Sequence, residues 1–178
     1  MQETLALFIS KVGKMKKIIK NIGIVLGLAL IIGVTYYVYT APYTRIAGVR
    51  IGGTLTPAPA DWNTVNGRGV GWIKTGGFPP FVVHMIYSTD EGGIITATRP
   101  DGGYWAKRAR VAPNGYIRVG DETFAMKATE IFGEAKIPYL ESYGSNNNMP
   151  MRYDFAEEVI RGQNEPLYTW EVFYWTPR

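Results

Sequence analysis

From residue 18 to residue 39 the chain is almost entirely apolar, and NIGIVLGLALIIGVTYYVYT, residues 21–40, carries no charge. About 20 helical residues at about 1.5 Å rise cross the roughly 30 Å hydrocarbon core of a bilayer. Lys11, Lys14, Lys16, Lys17 and Lys20 precede the run, and Tyr36, Tyr37 and Tyr39 stand at its far end, as a cytoplasmic basic flank and an interfacial aromatic belt do. The pattern predicts a basic cytoplasmic segment over 1–17 and a transmembrane helix over 18–40. The N-terminus then faces the cytoplasm of a bacterium, with the chain crossing its inner membrane and the C-terminal domain in the periplasm. A cleaved signal peptide is the competing reading, but its apolar region is commonly about 7–15 residues and ends in small side chains. Met15 serves as a start as well as Met1, because KMKKIIK keeps the positive flank. QETLALFIS then reads either as an amphipathic cytoplasmic extension or as an overlong gene assignment.

After residue 40 the periodicity changes. Gly52, Gly53, Pro57 and Pro59 interrupt any regular pattern, so 41–60 is expected to be a linker holding the domain away from the bilayer. Asp61 or Asn63 is placed to cap a short segment, but NTVNGRGVG is too rich in glycine to read as a helix. Organised structure is expected from Trp72 onward, within a domain spanning 61–178. FVVHMIY (81–87), IITATR (94–99), GYIRVG (115–120), TFAMKATEIF (123–132) and LYTWEVFYW (167–175) have the branched and aromatic composition of strands. STDEGG and GDE are short enough to join only antiparallel neighbours. GYWAKRARVAPNG reads as a short helix ending before Pro113 and Asn114, with Trp105, Arg108 and Ala109 on one face and Lys107 and Arg110 toward solvent or a ligand. YDFAEEVIRG (153–162) reads as a second helix ended by Gly162. SYGSNNNMPM is expected to be a flexible polar loop. In the last strand, Trp170, Val172 and Tyr174 alternate with Phe173 and Trp175, which predicts that both faces are covered. The fold class is therefore mainly β: a small antiparallel, partly closed barrel with short helices, preceded by one transmembrane helix. Closure removes the exposed edges of so aromatic a sheet.

Composition narrows the chemistry. Of 178 residues, none is cysteine and one, His84, is histidine. That excludes thiol nucleophiles, thiolate metal sites and the two-histidine HExxH centre. The formal charge of +4 owes much to the lysines before the apolar run, so no nucleic-acid partner is expected. Alternation puts His84 on one face with Val82 and Ile86, which predicts a satisfied core or interface imidazole; as a proton donor to a reduced ring or a substrate it is the alternative.

PPFVVHMIYSTDEGGIITATRPDGGYWAKRARVAPNGYIRVGDETFAMKATEIF resembles the central part of the split-barrel flavin or deazaflavin reductase superfamily. The nearest pattern is the deazaflavin-dependent nitroreductase-like branch, over about residues 72–131. The resemblance implies a dimer-prone barrel with a cofactor groove along its central strands. It implies that Thr96 and Thr98 face the cofactor, that Arg99 and Lys107 contact its phosphates, and that Trp105 borders the groove. The glycine and basic pattern before the first barrel strand is present only in part, as GRGVGWIKTGG, where Arg68, Lys74 and Thr75 are candidates.

The residues alone also draw attention to TATRPDGGYWAKRAR. Arg99, Lys107, Arg108 and Arg110 lie around Gly102 and Gly103, a composition suited to an anion, although the GxxxxGK[ST] phosphate loop is absent. Pairing with Asp101, Asp121 and Glu122 is the alternative use of these cations. Tyr104, Trp105 and Tyr116 can stack on an isoalloxazine-like ring or fill a core. Asp154, Glu157 and Glu158 read as an exposed helix face, not as a paired acid site. Two functions follow. The first is a membrane-anchored binding or accessory subunit of a larger assembly, in contact with membrane lipid and another integral membrane protein. The alternative is an oxidoreductase dependent on FMN or a deazaflavin. Whether the first of these retains any cofactor is open, and a lipid- or small-hydrophobe-binding protein is a third class.

Overall fold

The structure, a computed structural model, describes residues 2–41, 48–100, 103–149 and 169–178. The helix expected over 153–162, with Asp154, Glu157 and Glu158, lies outside them, as do Asp101 and Gly102. The chain divides into two compact units, residues 1–40 and 41–178.

The first unit is a single helix, α1 (Gln2–Thr40), continuous through the boundary drawn at residue 17. Its stretch Gly13–Thr40 is long and apolar enough to cross a membrane, a test that a signal segment also passes. Apolar side chains such as Leu26, Leu30 and Ile32 are exposed along it. Nothing in the helix itself packs them, so their burial has to come from outside it.

The second unit is a split barrel. Its strands are β1 (Thr54–Leu55), β2 (Arg68–Thr75), β3 (Val82–Thr89), β4 (Ile94–Thr98), β5 (Asn114–Val119), β6 (Glu122–Ile131) and β7 (Glu171–Pro177), with spatial order β1-β6-β5-β2-β3-β4-β7. Pairing of β6 with β7 closes the six strands β2–β7 on themselves. The two hairpins expected from STDEGG and GDE form β3–β4 and β5–β6. Asp90 caps the first turn by accepting from Gly92 and Gly93 amides, both at 2.9 Å. β1 adds a short parallel strand to β6, within the stretch the proline and glycine pattern assigns to a linker.

Two elements and one residue differ from expectation. RGVGWIKT is β2, a central strand paired with both β3 and β5; two glycines conceal it from propensity, which in sheets follows packing rather than backbone preference. IPYLESYGSN is a helix, α3 (Ile137–Asn146), where SYGSNNNMPM is expected to be a loop. Pro138 suits its first turn, and Leu140 and Tyr143 bury against β4 and β7. Beyond its end, the Asn147 amide donates to the Tyr87 and Tyr143 carbonyls at 3.2 and 2.9 Å. Third, His84 is exposed on the outer face of β3, edge-on to Trp72 at 5.3 Å, and is not a core imidazole.

The barrel interior is filled by Ile73, Met85, Ile117, Phe124, Phe173 and Trp175, among others, and α2 (Tyr104–Val111) plugs it with Trp105, Ala106 and Ala109. The alternation in β7 divides its side chains as expected: Phe173 and Trp175 point inward, while Val172 packs under α3.

Candidate functional site

The residues drawn from the sequence separate into a core set and a surface set. Thr96 is fully buried and accepts the Trp175 indole N–H at 2.9 Å. Trp105 packs edge-on against Phe173 at 5.0 Å. Both are held in a filled interior. Thr98 accepts from the Gly103 amide at 3.1 Å and so fixes the start of α2. Arg99 and Lys107 are exposed at that end of the barrel. Arg108 donates to the Pro79 carbonyl and lies over the Tyr104 ring at 4.2 Å.

Arg110 is not aimed at a ligand. It makes a two-pronged contact with Glu130 at 2.7 and 2.5 Å and reaches Glu171 at 2.9 Å, tying α2 to β6 and β7. The Glu130 hydrogen bonds, with those of Glu171, raise its pKa further above the ordinary guanidinium range, so it is cationic at every working pH. Asp121, proposed as its partner, instead meets Arg118 at 3.3 Å.

A different constellation occupies the outer face of the sheet. Register pairs Trp72 with both His84 and Arg118, and Lys74 with Tyr116. Side chains in one register row share a face, so these form two adjacent rows across β3, β2 and β5. A cleft of about 330 Å³ opens beside the second row, lined by Lys74, Tyr116, Thr123, Leu55 and a strap at 50–53. The strap is fastened by Thr123, whose hydroxyl donates to the Gly52 carbonyl at 2.7 Å, and by Arg118, which donates to the Ile51 carbonyl at 3.2 Å. Gly53 adopts φ +73°, and a Cβ there would approach the Thr123 hydroxyl to 2.5 Å. Only glycine lets the strap lie this close to β6.

A second cleft of about 420 Å³ lies toward the β5–β6 turn and includes Val70, Trp72, Tyr87 and Asp121. Arg118 touches residues of both clefts: its guanidinium lies 4.7 Å from the Trp72 ring centre and donates to the Gly120 carbonyl at 2.7 Å. The Trp72 indole N–H is buried without a hydrogen-bond partner among the described residues. Nearby His84 has its pKa lowered by partial desolvation.

The first cleft thus brings Arg50 and Lys74 beside an aromatic ring and a glycine-lined backbone. Cations of this kind hold phosphate or carboxylate oxygens, and a tyrosine face accepts a planar ring. Among the described residues no group of three or more His, Asp or Glu is placed to hold a metal. Arg68 lies away from the cleft, donating to the Asn146 carbonyl at 2.8 Å, while Thr75 is buried. Tyr116 and Lys74, named in the sequence for separate reasons, are brought together. Arg50 and the strap were missed because their stretch reads as linker; the Gly52-Gly53 pair was its one visible signal.

No protein-family model and no curated protein matches the chain. Solved structures similar to it include a putative pyridoxamine 5'-phosphate oxidase from Listeria innocua. That structure is 14% identical, with a TM-score of 0.44 over 61% of this chain and 83% of the other.

Proposed function

We propose that this chain is a membrane-tethered oxidoreductase that holds FMN or a deazaflavin in the cleft between the 50–53 strap and strands β2 and β5. The observation that carries this reading is the convergence of Lys74, Arg50, Tyr116 and the Gly52-Gly53 backbone on one cleft of about 330 Å³. That volume is at the lower end of the range for small-molecule sites, about 300–1,000 Å³. The side chains suit an anionic molecule with a planar ring. The sequence resemblance to flavin and deazaflavin reductases names the class. A bound cofactor of this class supplies the hydride chemistry. The chain's own share is binding: Lys74 and Arg50 balance phosphate charge, Tyr116 offers ring surface, and Gly53 keeps the strap within reach. The apolar stretch Gly13–Thr40 supports the tether. The accessory subunit, the first reading from the sequence, leaves open whether any cofactor is held and so requires no such cleft, whereas the oxidoreductase does.

The test is purification of the full chain from its native membrane in mild detergent, followed by mass and visible-absorbance analysis. FMN or a deazaflavin is expected near one per chain. Lys74→Ala removes a charge-assisted contact worth about 1.5–3 kcal/mol, so retention should fall by at least about tenfold. A colourless protein that takes up neither cofactor on titration would overturn the assignment.

A further inference from the structure

The end of the barrel around α2 has a surface with no task in the cofactor reading. Helix positions spaced at three and four share a face, and here Trp105, Ala106 and Ala109 face the core. The opposite arc carries Tyr104, Lys107, Arg108 and Val111. The β2–β3 loop lies along this arc: Gly77 is beside the Arg108 guanidinium, and both Tyr104 and Arg108 donate to the Pro79 carbonyl. Phe78, between these two contacts, is 91% exposed, and Val111 is 86% exposed. Two large apolar side chains therefore project from neighbouring segments, and Lys107 and Arg108 share the helix arc that carries Val111. Lys107 has no acidic partner among the described residues.

We propose that this face of the globular unit docks on the surface of an anionic lipid bilayer, with Phe78 and Val111 inserted at the headgroup level and Lys107 and Arg108 against lipid phosphates. Apolar tips flanked by cations match the two components of interfacial binding, hydrophobic insertion and attraction to anionic headgroups. A protein interface of stable size has an apolar centre depleted of lysine, whereas here Lys107 lies on the same helix arc as the exposed Val111. The proposal rests on the tether reading for its lipid, because a unit joined to a membrane-held helix meets that surface at high effective concentration.

The chain's lack of cysteine allows one label at a time. Full-length Phe78→Cys, Val111→Cys, Ile31→Cys and Glu122→Cys, each carrying a nitroxide, are reconstituted in phosphatidylcholine bilayers with and without phosphatidylglycerol. Collision with oxygen and with a water-soluble nickel chelate is then measured. Labels at 78 and 111 are expected to favour oxygen over nickel when phosphatidylglycerol is present, while 122, at the start of β6, stays nickel-accessible. Adding Lys107→Gln should lower the inserted population roughly fivefold, the worth of one cation at such a surface. An oxygen-rich label at 31 with a nickel-accessible one at 78 would leave the tether standing and overturn the docking face; aqueous labels at both would overturn the two together. Insertion at 78 that is indifferent to phosphatidylglycerol would refute the anionic-lipid assignment. Shielding of 78 from both reagents would mean a protein covers the face, and would also refute it.

Discussion

Trp175 donates its indole N–H to Thr96 inside the barrel, and neither group meets water. Thr96→Val leaves that donor without an acceptor and should cost about 1–3 kcal/mol in urea denaturation; Thr96→Ser, which keeps the hydroxyl, should cost much less. A loss of bound cofactor from Thr96→Val without loss of stability would mean that Thr96 faces a ligand after all. Gly53 offers the complementary case at the surface. Gly53→Ala adds a Cβ against Thr123 at a φ that side chains rarely adopt, so the strap must lift. Cofactor retention should drop sharply while the denaturation midpoint moves little, because the strap is held by a few hydrogen bonds and the core lies elsewhere. Equal retention in Gly53→Ala and wild type would separate the strap from the site.

At the scale of elements, Arg110 joins α2 to β6 and β7 through Glu130 and Glu171. Its side chain is 34% exposed, so solvent screening moderates the contact, and Arg110→Ala should destabilise by about 1–2 kcal/mol. Leu140→Ala in α3 removes a fully buried side chain and should cost about 2–5 kcal/mol, read by thermal or urea unfolding. The strands whose composition is branched and aromatic were legible in the sequence, as were both hairpin turns and the helix at Trp105. β2 was not, because Gly69 and Gly71 hide a strand that is defined by its two neighbours. α3 was not, because Ser, Asn and Gly dominate its second half and Leu140 and Tyr143 stabilise it only through contacts distant in sequence. The site was legible in part: Lys74 and Tyr116 could be named singly, but their pairing depends on the β2–β5 register, which local pattern does not contain. Arg110 looked like a ligand for anions because its acidic partners lie 20 and 61 positions away.

At the scale of the whole molecule, a helix that meets the length and composition of a membrane span is joined to a closed barrel with a cationic cleft. The lysine flank leads us to propose that the barrel faces the periplasm. Protease added to intact spheroplasts should therefore digest residues beyond 41 without permeabilisation, and digestion only after permeabilisation would reverse that topology. The cofactor assignment is tested most directly by amide hydrogen exchange on the full-length protein in detergent, with and without added FMN or deazaflavin. Cofactor should slow exchange in 50–55 and 114–118, the strap and the Tyr116 strand, by at least about tenfold, leaving 103–111 unchanged. Unaltered exchange in the strap, or protection confined to α2, would contradict the account.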